Sequence, residues 1–298
     1  VSEDDEPELF RMTLAGFGLF GVMTKVRLRL IQRKEWVAYH SITFHSFADA
    51  WSALVAFCEL HHGEGRADTV SMTRDHRYYS LHIGYEFQTQ GEARRECETL
   101  PPCVDSSVVK SHSAQVLEAR EQRRTRRTVL DNLIVGKWKL SQTPSYHPFW
   151  NEWVFPDQAS ARRYSEQVER IVSDPIYAPH YFGLYFLVLR DDPQRPHSPL
   201  SLFGPSWPQV PNHLRLGVGT YFHVPIDDDG ARRSLESLTI ELQKLAHQEG
   251  GRLYLYTHHH HTFEDLHGHY GQDWEDVVRL KRALDPDLLL NGDVLPFD

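Results

Sequence analysis

The run Gly16-Phe17-Gly18-Leu19-Phe20-Gly21 has the letters of a dinucleotide-binding fingerprint. That chemistry needs a strand before the glycines and a helix after them, so that a helix N-terminus faces the pyrophosphate. Here the order is reversed. A helical pattern, Glu8 to Ala15 with Pro7 in its first turn, comes first, and the alternating stretch Val22 to Leu30 follows. The glycines therefore mark a tight turn that another group can approach closely. A second concentration is His258 to His261, with His267 and His269 nearby. Imidazoles are common metal ligands. Consecutive residues of an extended chain point to opposite faces, so at most alternate ones, such as His258 and His260, share a site. No His-Glu-x-x-His helix accompanies them, and no metal is assigned. They read as a pocket wall or as surface and packing histidines. Trp150, Trp153 and Tyr185 fall on strand patterns, where aromatics fill a core or line a ligand wall. Lys281 reads as solvated or paired, and Asp285-Pro286 as a helix stop.

The elements that must position these residues alternate between strand and helix. Strands are expected at Val37 to Phe44, Thr69 to Thr73, Tyr78 to Phe87, Phe149 to Phe155, Tyr181 to Arg190, Leu214 to Val224 and Leu253 to Tyr256. Helices are expected from Phe47 to Cys58, Glu92 to Leu100, Ser113 to Leu133, Gln158 to Val172, Ala231 to Glu249 and Asp273 to Leu284. The pattern reads as three strand–helix–strand units, with a long Pro-rich loop from Asp191 to Pro211. Gly250-Gly251 supplies a left-handed cap to the helix before it. The tight turn at Arg74 to Arg77 and the long strands point to an antiparallel sheet with helices on one face, hence an α+β fold.

The chain has 298 residues, room for one large domain or two small ones, with 40% hydrophobic and 24% charged residues. A net charge of −9 argues against a nucleic-acid partner. The basic run Arg120 to Arg127 is interrupted and reads as a solvated helix face. No apolar stretch reaches the roughly 18 residues of a membrane span, and no signal peptide is visible. Cys58, Cys97 and Cys103 are an odd set without metal spacing, so free thiols and a cytoplasmic setting are expected. The chain opens on Val1 and runs at once into a helix, which implies a further segment upstream or in another polypeptide.

Glu8-Leu9-Phe10 and Ala15-Gly16-Phe17-Gly18-Leu19-Phe20-Gly21-Val22-Met23-Thr24 resemble the last helix, glycine turn and strand of the flavin-binding domain in the vanillyl-alcohol-oxidase superfamily. Ala15 stands where that family has a first glycine. Tyr256-Thr257-His258-His259, His269-Tyr270-Gly271-Gln272-Asp273-Trp274, Lys281, Asp285-Pro286 and Gly292-Asp293 follow the order of cytokinin dehydrogenase motifs. His147-Pro148-Phe149-Trp150-Asn151 and Val154-Phe155-Pro156 are similar to the same family.

The resemblance implies a ferredoxin-like cap domain joined to remnants of a PCMH-type FAD-binding domain. Residues 1–33 would be the tail of the FAD-binding domain, 34–250 the substrate domain, and 251–298 the segment returning to the FAD-binding domain. It implies FAD as cofactor, approached by Gly21, Val22, Tyr256 and Asp293. A small-molecule substrate would meet Ser71, Trp150, Asn151, His258 and His259. The activity would be oxidation at a C–N or C–O carbon. The catalytic base and the pyrophosphate loop would lie outside this chain. The partner implied is an N-terminal FAD-binding domain or a separate chain carrying it. Two departures bear on this reading. Ser71 replaces the family's substrate-binding carboxylate. Asp293, acceptor-only when ionised, replaces a closing glutamine. The alternative is a non-catalytic binding subunit. Phe17, Leu19 and Phe20 are expected to lack partners and favour a dimer or a partner chain.

Overall fold

Along strand β1 (Trp36–Phe44), alternate residues Ala38, His40, Ile42 and Phe44 are fully buried and define one face. The structure, a computed structural model, describes all residues except 1, 3, 15, 17, 28–33, 61–68, 75–77, 102–103, 119–145, 191–213, 256–258, 293–294 and 298. The described residues before 31 and after 251 form one compact unit. Those within 31–189 and 214–251 form the other.

In the larger unit β1 is followed by α2 (Phe47–Leu60), β2 (Thr69–Arg74), β3 (Tyr79–Phe87), α3 (Gln90–Cys97) and β4 (Val109–Glu118). The same progression then recurs as β5 (Tyr146–Phe155), α4 (Gln158–Ile171), β6 (Tyr181–Arg190), β7 (Leu214–Pro225) and α5 (Asp229–Gln248). The strands lie in the order β4-β1-β3-β2-β6-β7-β5. In each half the third strand sits between the first and the second, the ferredoxin-like split arrangement. The halves join where β2 and β6 pair antiparallel, Met72 opposite Phe186. The fold is α+β with an antiparallel sheet, in keeping with the sequence. The sequence suggested three strand–helix–strand units. The sheet instead groups the elements as two interlocked halves, because β3 and β7 insert between earlier strands.

The helices cover one face. Phe47 and Trp51 of α2 lie 6.2 and 5.8 Å, ring to ring, from Phe186 of β6. Tyr164 of α4 packs 4.9 Å from Phe155, and His247 of α5 sits edge-on to Trp153. Each such buried side chain stabilises by about 1.5–3 kcal/mol. Asp157 and Asp228 cap α4 and α5 by accepting from Ser160 N and Ala231 N. Gly250, at φ 70°, closes α5. Arg74 of β2 pairs with Glu169 of α4 at 3.0 Å and lies over the rings of Tyr79 and Tyr181, tying the two halves beneath the helices.

Three expected elements differ, the shortest being the strand expected from Leu253 to Tyr256, which is confined to Arg252–Leu253 among the described residues. Residues 113–118 belong to β4, not to a polar helix, because they pair antiparallel with β1. Half-buried Ala114, Val116 and Leu117 against exposed neighbours show an edge strand, and pairing overrides the local helical propensity. The rest of that expected helix lies outside the described residues, as do the turn residues 75–77 and the Pro-rich loop. Residues 22–27 form no strand. They have no paired neighbour among the described residues, and a strand needs one.

In the smaller unit, α1 (Pro7–Thr13) precedes the glycine turn, and β8 (Arg252–Leu253), α6 (Phe263–Tyr270) and α7 (Gln272–Leu284) follow later in the chain. Helix α6 has no apolar period to announce it. Its signal is the box in which Thr262 and Asp265 cap each other's backbone N–H. Lys281, read from sequence as solvated or paired, is fully buried. Its ammonium donates to Leu19 O at 2.9 Å, Asp285 Oδ2 at 2.6 Å and Leu290 O at 2.5 Å. This junction buries Leu19, and Phe20 is buried beside it, so the expectation that these two lack partners is corrected, while Phe17 lies outside the described residues. Exposed apolar residues come just after, Val22, Met23 and Val26, and again at Leu284 and Leu289.

Candidate functional site

Strand alternation turns Trp150 and Glu152 to the sheet face opposite the helices, while Asn151, Trp153 and Phe155 point toward them. Glu152 is only 3% exposed and accepts a hydrogen bond from the hydroxyl of Tyr185. Tyr185 is on β6 and Glu152 on β5, with β7 between. The phenol crosses β7 above Gly219, which is directly opposite Glu152 in the register. A Cβ at Gly219 would fall within the Tyr185 ring. At Gly217 it would lie 3.5 Å from Glu152 Oε1. The absence of two side chains thus lets a carboxyl group and a phenol meet.

Burial raises the Glu152 pKa to about 7, opposed by the Tyr185 hydrogen bond. Burial also pushes the Tyr185 phenol well above its usual value, so it stays a donor. A buried carboxyl group titrating near neutrality can take or return a proton with little driving force lost. Beside it, Tyr221 lies 5.4 Å from Tyr185, and Trp150 stacks on Tyr221 at 5.4 Å and 14°. These rings make a flat wall suited to a ring-shaped ligand.

On the same face of the other half, His82 receives two neighbours. Tyr39 Oη lies 2.8 Å from Nδ1 and Thr73 Oγ1 lies 3.2 Å from Nε2. Burial lowers the His82 pKa to about 4, so the ring is neutral and links one donor to one acceptor. Thr73 is opposite Tyr185 in the β2–β6 register, and Ser71 opposite His82 and Leu187.

Of the residues singled out from sequence, Ser71 and Trp150 share this face. Asn151 does not. It is 2% exposed among the helices, and Thr220 donates to its carbonyl. Gly21, Val22 and His259 are in the smaller unit, with the His259 ring 5.2 Å from that of His261. Tyr256, His258 and Asp293 lie outside the described residues. Glu152, Tyr221, Thr73 and His82 were not anticipated. The available signal was Glu152 itself, a carboxylate in an otherwise apolar run, facing Gly217-Val218-Gly219. Among the described residues no group of three or more His, Cys, Asp or Glu could hold a metal ion. No described helix is long and apolar enough to cross a membrane.

Gly219→Ala is expected to displace Tyr185, costing about 1–3 kcal/mol by overpacking. Urea unfolding measures the loss. A change within about 0.5 kcal/mol, the range of ordinary surface substitutions, would show that the crossing is not tight.

No family model and no curated protein matches the chain. Solved structures do. The xylooligosaccharide oxidase of Myceliophthora thermophila C1 in complex with xylobiose superposes with a TM-score of 0.66 at 15% identity, over 99% of this chain and 63% of that one. A VAO-type flavoprotein from the same organism gives 0.61 at 16%, over 95% and 51%. The 6-hydroxy-D-nicotine oxidase of Arthrobacter nicotinovorans gives 0.59 at 17%, over 98% and 61%. The chain therefore spans roughly half to two thirds of the length of these structures and shares their fold, that of VAO-type flavoproteins.

Proposed function

We propose that this chain is the substrate-binding portion of an FAD-dependent oxidoreductase, with Glu152 as its proton acceptor in place of the base outside the chain that the resemblance implies. The observation that carries the reading is the Glu152–Tyr185 pair, set beside an aromatic wall on the sheet face opposite the described helices. The fold shared with flavoproteins and oxidases supports it. The nearer likeness to cytokinin dehydrogenases rests on the His147-to-Asn151 and Tyr256-to-Asp293 motifs. Ser71, with no charge to hold an amine, argues against cytokinin itself as the substrate.

The residues present fit a flavin at one edge. Among the described residues a Cβ at Gly21 would meet nothing within 4 Å, and Val22 beside it is 80% exposed. The backbone there is open to a planar ring, and by resemblance Tyr256 and Asp293 would add contacts. Bound FAD supplies the acceptor for the hydride that leaves the substrate carbon. The chain's own groups do the rest. Trp150 and Tyr221 stack against the substrate ring. Glu152 takes the proton from the substrate's hydroxyl or amine as the carbon is oxidised. Tyr185 holds that carboxylate in place and keeps one of its oxygens satisfied. The remainder of the flavin site belongs to a domain upstream or on a partner chain. The exposed apolar run Val22, Met23 and Val26 is a surface for it.

The test is made on the polypeptide with its flavin-carrying half. A yellow protein whose colour is bleached anaerobically by alcohols or amines supports the reading. Its kcat/KM should rise through about pH 7 as Glu152 loses its proton. A profile flat from about pH 6 to about pH 8 overturns the assignment of Glu152.

A further inference from the structure

The helix-covered face of β1 carries a second pair of titratable groups, remote in role from Glu152. His40 is fully buried, and its Nδ1 lies 3.1 Å from Nε2 of His112, an exposed residue of edge strand β4. The two rings are nearly parallel, 3° apart with centroids at 5.4 Å. They are diagonal neighbours, since Ile42 is opposite His112 and His40 opposite Ala114. Among the described residues His40 Nε2 is buried with no hydrogen-bond partner. Strand β4 is bound on one side only, and its best-buried residues are merely half-buried.

We propose that His40 and His112 form an acid-labile latch that holds edge strand β4 onto the sheet. In the neutral pair one ring donates to the other, and a bare Nε2 acceptor on His40 is tolerated. Protonation places an N–H on both nitrogens of a buried ring, one of them with no acceptor, and adds a charge without a counterion. Among the described residues no neighbouring element supplies one. Strand β3 offers the Tyr85 ring edge at 6.0 Å. Helix α3 offers half-buried Cys97. Its Glu92 is committed to Thr89, Arg94 and Arg95 are exposed, and Glu96 is half-buried beside Cys97. Helix α2 offers Asp49, held by Ser46. Burial, and then His112, lower the His40 pKa to about 4, and burial lowers that of His112. Both pKa values lie below the unfolded one, so the pair favours release of β4 as pH falls from about 6.5 toward 4. The adjacent residue Tyr39 bonds His82 on the opposite face, so release of β4 would also loosen the strand that carries it.

Hydrogen exchange tests the latch. On lowering the pH from about 7 to about 4.5, with intrinsic exchange rates corrected, β4 amides should lose roughly tenfold more protection than those at the β2–β3 pairing. The loss should coincide with the titration of a buried imidazole followed by histidine NMR. His40→Phe, which keeps a ring against Tyr85, should leave β4 protection independent of pH. If that variant does not fold, the unmodified chain still decides. Loss of β4 protection in step with the central strands, or a midpoint that does not follow the imidazole titration, overturns the proposal.

Discussion

Replacing Glu152 with glutamine is expected to slow flavin reduction by substrate about 10²–10⁴-fold, while substrate affinity changes little. Glutamine keeps the shape and still accepts from the Tyr185 hydroxyl, so the aromatic wall should stand. It cannot take a proton. The ascending limb near pH 7 should vanish with the rate. A second readout separates chemistry from damage. The Glu152 pKa, about 7 in the folded chain, lies above its ordinary value of 4.5. The folded state therefore binds more protons than the unfolded one between those values. Its contribution to stability is full below about 4.5 and is lost as pH rises through about 7. Glu152→Gln should abolish that decline. A variant with near-normal turnover would remove Glu152 from the chemistry. One with a collapsed fold would show neither the retained affinity nor the flattened stability curve.

Lys281→Met is expected to be the most damaging substitution for the smaller unit, at about 3–5 kcal/mol. The ammonium has three protons, and all three have acceptors: Leu19 O, Asp285 Oδ2 and Leu290 O. Asp285 in turn accepts from the N–H groups of Leu289 and Leu290, at 2.9 and 2.8 Å. The Lys281 hydrogen bond, more than any other contact, holds the Asp285 carboxyl below its usual range. This network fastens a turn in which Leu288 and Asn291 adopt left-handed φ angles of 52° and 50°. Methionine fills the volume but leaves two carbonyls and a carboxylate without their cation. Calorimetry of the variant should show an early transition for this unit. A loss below about 1 kcal/mol, the scale of an exposed pair, would mean that water replaces the ammonium without strain.

Much of the fold was legible in the residues. Runs rich in β-branched and aromatic residues set strands β1, β3, β6 and β7 almost to the residue, whereas the one stretch read from alternation, Val22 to Leu30, forms no strand over its described residues. Pro7, Asp285-Pro286 and Gly250 marked helix ends for reasons local to the backbone. What failed depended on partners distant in sequence. Residues 113–118 look helical alone and become a strand only because β1 lies beside them. Lys281 looks like any surface lysine until Leu19 and Leu290 arrive. The candidate site was half legible. Trp150 and Ser71 were found through resemblance, whereas Glu152 was passed over because nothing local says that a phenol from another strand will reach it. Asn151 was chosen over its neighbour by a motif that does not encode which face a side chain takes.

The twofold recurrence of the sheet gives Glu152 a counterpart. In one half the first and second strands are bridged across the third by Tyr185 passing over Gly219. In the other, Tyr39 and Thr73 are bridged across the third by the His82 side chain itself. Both halves solve the same span, one with an empty position and one with a filled one. The filled version yields a link that is neutral at physiological pH; the empty one yields a carboxyl group that titrates near neutrality, the group proposed above as proton acceptor. In that proposal reactivity is an asymmetry between two similar halves, set by whether the middle strand carries a side chain at the crossing.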